Sequence, residues 1–146
     1  MYQITMAYSY WKNKQHNQRA IFDIFFRKNP FGGEFTVFAG LEECLNFLQG
    51  FSYSPEGRWS HSFLGYQFTI FLLCSDIDYF RSVLPPTAED EFFDYMAGIS
   101  ANGIKLYSVA EGTVVFPKEP LMRIEGPLAV CQLLETSLLT LVNFPR

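Results

Sequence analysis

Charge is scarce in this chain: Asp, Glu, Lys and Arg together make up 18% of its 146 residues, and the formal net charge is −4. No dense Lys/Arg stripe occurs, which excludes a nucleic-acid binder working through counterion release. Histidine is confined to His16 and His61, neither with a carboxylate or cysteine at ligand spacing, so both read as surface residues. The cysteines Cys44, Cys74 and Cys131 are odd in number and far apart, which speaks against a disulfide framework or a zinc site and for a reducing compartment. There is no Ser/His/Asp set and no G-x-x-x-x-G-K phosphate loop. The apolar run Phe63–Cys74 spans about a dozen residues, short of the roughly 20 that cross a bilayer, so no membrane partner is expected. Polar and aromatic residues follow Met1 at once, so no secretory leader is read and a cytoplasmic location is expected.

Apolar rings, by contrast, are abundant. Hydrophobic residues make up 49% of the chain, aromatics 18%, and sixteen residues are Phe. The length fits one domain with ample material for a core. So many rings suit a piece of a larger protein, covered on its inner faces by further chain, better than a free-standing small domain.

Ile4, Ala7, Tyr8 and Trp11 recur at helical spacing and predict an amphipathic helix to about Lys14, although Met1 leaves no room for a capping residue. Ala20–Phe26 (AIFDIFF) reads as a strand buried on both faces. A turn follows at Lys28–Gly33, and Val37, Phe38, Leu41, Cys44, Leu45 and Leu48 share one face of a second helix ended by Gly50. Ser75-Asp76-Ile77-Asp78 has capping-box spacing for a helix with Ile77, Phe80 and Leu84 inward and Pro85-Pro86 as its stop. Thr87 and Asp90 repeat the pattern for a helix to about Gly98. Ile104–Ala110, Thr113–Pro117 and Leu121–Glu125 read as a small β meander. Pro127 sits where a first helical residue would, and Leu128–Val142 is apolar on almost every side. A chain ending so soon after that helix has nothing left to cover it, which points to further sequence beyond. Pro55–Cys74 shows no clean period and is longer than connections of about 4–6 residues, so it is expected to be irregular.

In Arg27-Lys28-Asn29-Pro30-Phe31-Gly32-Gly33, two adjacent cations leave the end of a strand, and two glycines precede a helix whose first N–H groups favour anions. A phosphate or carboxylate fits there, but on the residues alone a basic, solvated turn with glycines serving only backbone geometry is the favoured reading. Tyr2, Tyr8, Tyr10 and Trp11 form an aromatic cluster whose members are mostly core, with Tyr2 outside the buried face and free to stack on a planar ligand. Glu89, Asp90 and Glu91 are explained by the helix dipole.

The opening Tyr2-Gln3-Ile4-Thr5-Met6-Ala7 and the run from Phe22 to Gly33 (F-D-I-F-F-R-K-N-P-F-G-G) resemble the nicotinate phosphoribosyltransferases. Further similarity covers Ala39–Leu48, Ser75–Tyr95 and Tyr107–Val142, including Ala110-Glu111-Gly112, Glu125-Gly126-Pro127-Leu128 and Gln132-Leu133-Leu134-Glu135-Thr136. The resemblance implies an enzyme of NAD biosynthesis that joins nicotinate to phosphoribosyl pyrophosphate, giving nicotinate mononucleotide and pyrophosphate with coupled use of ATP and Mg. It further implies that Tyr2 stacks on the pyridine ring across a homodimer and that Arg27, with Lys28 as a weaker partner, lies by the phosphates. Nothing in the chain matches the family's phosphorylated histidine, its main phosphoribosyl-pyrophosphate loop or its carboxylate-pairing arginine. Those belong to an α/β barrel that the chain does not reach, so no residue here is assigned a catalytic role and none a metal.

The expected fold is therefore α+β: a partial N-terminal domain of a type II phosphoribosyltransferase over residues 1–146, helices on a small mixed sheet, without the barrel. Residues 55–74 read as a non-family insertion, since their removal restores family-like continuity. Alone, the chain is expected to be inactive; the alternative is a non-catalytic module that pairs with a full-length subunit.

Overall fold

The computed structural model describes residues 2–53, 62–63, 66–67 and 76–143. Its elements, in chain order, are α1 (Tyr2–Lys12), β1 (Arg19–Ile24), a 3-10 turn (Pro30–Gly32), β2 (Thr36–Val37), α2 (Leu41–Gly50), β3 (Ser62–Phe63), β4 (Tyr66–Gln67), α3 (Asp76–Val83), α4 (Asp90–Ala97), β5 (Lys105–Ser108), β6 (Val114–Val115), β7 (Met122–Pro127) and α5 (Leu128–Asn143). The α+β class stands. Every described strand pairing is antiparallel, not mixed: β1-β7-β5 form one sheet, β2 pairs with β6, and β3 with β4.

Helix α5 is the piece around which the rest is laid. Ala129, Val130, Cys131, Leu133, Leu134, Leu138 and Val142 are all buried, and α1, α2, β1 and β7 pack against it. Pro127 closes β7 and does not open the helix. The first amides of α5, Leu128 N and Ala129 N, donate to Gln18 O and His16 O at 2.8 and 3.1 Å, so the loop after α1 serves as its cap.

β1 is buried on one face only, because α5 covers a single side of the sheet. Ala20, Phe22 and Ile24 turn inward, while Arg19, Ile21 and Asp23 face out. The outward face is laced by cross-strand ion pairs: Arg123 with its register partner Asp23 at 2.7 Å, and Arg19 diagonally with Glu125 at 2.5 Å. Nor do the last strands form a simple meander. Gly112 N donates to Phe38 O and Phe38 N to Thr113 O, drawing β6 across to β2 and leaving β5 to pair with β7 directly.

Val37 lies in β2 and not on α2, because Gly40 turns the chain with φ +98° just before the helix. The face of α2 that is buried is Cys44 and Phe47, with Leu45 exposed. The amides of Gly40 and Leu41 both donate to Glu111 Oε1, at 2.6 and 3.0 Å, so a carboxylate about seventy residues away caps α2. The expectations for Ser75 and His61 lie outside the described residues. So does most of the 55–74 segment, where only β3 and β4 are described, as a two-strand pairing.

The acidic start of α4 does more than answer a dipole. Glu89, not Thr87, stands at the cap position, yet its side chain makes no capping bond. It reaches α1 instead, accepting from Tyr8 Oη at 2.5 Å and pairing with Lys12 Nζ at 3.0 Å. Beside this latch, Tyr8 and Trp11 pack on the buried Phe92 ring at 5.1 and 5.6 Å. Asp90 ties α4 to α3 through Arg81 at 2.6 Å.

Two outcomes follow from these ties. Glu111→Ala is expected to leave two amides at the start of α2 without their acceptor and to lower stability by about 1 kcal/mol, read as a lower urea midpoint with an unchanged m-value. The Tyr8 hydroxyl, followed by Lys12, holds the Glu89 carboxyl down to about 2 from its ordinary 4.5. That latch therefore favours the folded chain fully above pH 4.5 and is lost as pH falls toward 2. In a Trp59→Phe background, Trp11 emission should shift across that window, and Glu89→Gln should remove the transition.

Candidate functional site

β1 delivers Arg27 and Lys28 to one end of the domain. After the exposed Phe25, the buried Phe26 anchors the chain, its carbonyl accepting from Lys118 N at 2.8 Å, and both cations then project from the surface. Of the four described arginines, Arg19, Arg81 and Arg123 are paired with carboxylates; Arg27 is not. Arg27 lines a groove of about 420 Å³ with Phe22, Phe26, Glu135, Leu139 and Asn143. The groove therefore runs between the end of β1 and the C-terminal half of α5.

The turn beyond Lys28 is sharply bent. Phe31 has φ +54° and ψ 24° and stands fully exposed; Gly32 has φ +71°, and a Cβ at that position would meet nothing within 4 Å. Gly32 is thus required by its backbone conformation and not by a close approach. The helix N-terminus invoked for an anion is also spoken for. β2 intervenes between the turn and α2, and the amides of Gly40 and Leu41 are held by Glu111. What remains for an anion is the pair of exposed cations, so the attraction is by side-chain charge and not by a helix dipole.

Tyr2 opens α1 and is 57% exposed, in keeping with its place outside the buried Ile4 and Ala7 face. Its neighbour Gln3 hydrogen-bonds Thr136 of α5. The start of α1 is therefore held at Thr136, one turn from the Leu139 that lines the Arg27 groove. Arg27 lines the groove along that half of α5, and Tyr2 adjoins the Gln3 that meets it, while Lys28 is exposed next to Arg27.

Glu135, Thr136 and Asn143 are the residues that sequence reasoning missed here. A trace was available: Gln132, Thr136, Thr140 and Asn143 recur at spacings of four, four and three along an otherwise apolar helix. Thr136, Leu139, Thr140 and Asn143 line a second groove of about 400 Å³ that shares Leu139 and Asn143 with the first. Gln132 is itself buried and donates to Glu135 Oε2 at 2.5 Å, which orients that carboxylate along the helix. His16, read as a surface residue, is half-buried, its ring edge-on to Tyr95 at 4.9 Å.

Burial pushes the thiols of Cys44 and Cys131 up to about 11, so neither is a nucleophile at neutral pH. Among the described residues no group of three or more His, Cys, Asp or Glu is placed to hold a metal ion. No described helix is long and apolar enough to cross a membrane.

Residues 1–143 match the family model of the nicotinate phosphoribosyltransferase (NAPRTase) N-terminal domain. A nicotinate phosphoribosyltransferase of Caenorhabditis elegans is 52% identical over 143 residues, 98% of this chain and 22% of the relative. Nicotinate phosphoribosyltransferase 2 of Arabidopsis thaliana is 49% identical over 144 residues, 99% of this chain and 22% of the relative. The crystal structure of human nicotinic acid phosphoribosyltransferase superposes with a TM-score of 0.78 at 36% identity, covering 97% of this chain and 24% of that one. The chain spans about a fifth of the length of the curated relatives it matches. With the family model spanning both α1 and the residues 27–33 turn, the chain belongs to the nicotinate phosphoribosyltransferase family, as an N-terminal domain.

Proposed function

We propose that this chain forms the substrate-binding N-terminal face of a nicotinate phosphoribosyltransferase. In this reading Tyr2 stacks on the pyridine ring of nicotinate, and Arg27, seconded by Lys28, meets the phosphates of phosphoribosyl pyrophosphate. The observation that carries it is the unpaired Arg27 at the mouth of a groove beside the helix that presents Tyr2. Joining a pyridine nitrogen to a ribosyl carbon passes through a cationic sugar centre, so such a site works by positioning a planar anion against a phosphorylated sugar. A stacking ring and an uncommitted guanidinium supply two of the contacts required.

The remaining groups belong to the barrel of the complete enzyme, so the chain by itself binds without turning over. ATP with magnesium, the cytoplasmic setting, and a homodimer in which Tyr2 acts on the neighbouring subunit's site complete the proposal. Residues 55–74 are an insertion outside it.

A second reading, in which the chain is a non-catalytic module that pairs with a full-length subunit, is favoured by one feature. The outer face of the β2–β6 pair and its flanks is apolar, with Phe35, Val37, Val114 and Phe116 all about half exposed.

Fusing residues 2–143 to the remainder of the Caenorhabditis elegans relative is expected to give an active enzyme. In that fusion, Tyr2→Ala should raise KM for nicotinate and Arg27→Ala should raise KM for phosphoribosyl pyrophosphate, each by about ten- to a hundredfold. An inactive fusion, or wild-type kinetics in both variants, overturns the assignment. For the second reading, the 146-residue chain co-expressed with a tagged complete relative should co-purify with it and change its rate; absence of co-purification dismisses it.

A further inference from the structure

We propose that Glu89 is a positioning residue for Tyr2, setting the attitude of α1 and through it the capture of nicotinate; this rests on the stacking role given to Tyr2 above. Glu89 occupies the cap position of α4 and leaves that task undone, directing both carboxylate oxygens at α1: one accepts from Tyr8 Oη at 2.5 Å, the other from Lys12 Nζ at 3.0 Å. Tyr8 and Lys12 are four residues apart and so lie one above the other on one face of α1, with Ile4 continuing the row toward the start of the helix.

Apolar packing holds α1 on a modest base. Of its eleven residues only Ile4 and Ala7 are buried, with Tyr8 and Trp11 half-buried against Phe92. The helix rests on α5 along that base, and Gln3 meets Thr136 near its first turn. Beside the Tyr8 and Trp11 rings on Phe92, the latch at Glu89 is the polar tie that sets how far the helix leans toward α4. At 1.5 Å per residue, Tyr2 stands about 9 Å along the axis from Tyr8, so a lean of about 6° at the latch displaces Tyr2 by about 1 Å. A displacement of that size matters to a ring that must lie flat against another ring, where errors of about 1 Å cost up to about a hundredfold. Glu89 touches no substrate in this scheme and acts through the helix.

The test uses the fusion enzyme described above. Glu89→Gln and Tyr8→Phe, which remove the ion pair and the hydroxyl with little change of shape, are expected to raise KM for nicotinate about tenfold. KM for phosphoribosyl pyrophosphate and kcat should stay near the parent values. Arg81→Ala, which breaks the comparable surface pair between α3 and α4, should change none of the three. If Tyr2→Ala raises KM for nicotinate while neither latch variant does, the positioning role is wrong and the stacking role survives. If both KM values rise together in the latch variants, the effect is general loosening and the positioning role is likewise wrong. If Tyr2→Ala changes nothing, or the parent fusion is inactive, the stacking role falls and this inference falls with it.

Discussion

The burial of α5 is the constraint on which the rest depends. Its first half is apolar on nearly every side, so it has to be enclosed by the sheet and by α1 and α2. Enclosure on that scale fixes where β1 and β7 must lie, and with them the strand register that sets the outward ion pairs. The second half carries Thr136, Thr140 and Asn143 and is left partly open. A single helix thus serves as core at one end and as the wall of a groove at the other.

The same arrangement explains why Tyr2 and Arg27 come to one end of the domain. β1 and α5 run side by side and in the same sense, so the chain leaves β1 at the polar half of α5 and places Arg27 there. α1 runs the opposite way along α5, its end joined by residues 13–18 to the start of α5 and its beginning at Thr136. Two residues 25 positions apart in sequence, Tyr2 and Arg27, arrive at the same end because one chain reversal separates two elements of similar length.

Capping in this domain is done largely over long distances. Glu111 closes α2, the carbonyls of His16 and Gln18 close α5, and Glu89 forgoes its own helix for α1. Each of these exchanges a local bond for one that ties remote segments together. Such ties are a way for a domain with few charges to fix the orientation of short helices that bury few side chains each.

Element types were largely legible in the sequence, since hydrophobic period and the breakers Gly50, Pro85, Pro86 and Gly98 are local signals. The likeness of residues 2–7 and 22–33 to one enzyme family was legible in the same way, being carried by residue identity in order. Local patterns could not tell that Ile21 would face outward, that β6 would leave its neighbours for β2, or that Glu89 would serve α1; each depends on what lies across the fold. The chain by itself therefore determined its helices, its main strands and the cations at residues 27 and 28. Only the tertiary structure decided which of its charges are spent on one another and which are left over. Pairing is a matter of distance in space, and it leaves Arg27, among the described arginines, without a carboxylate.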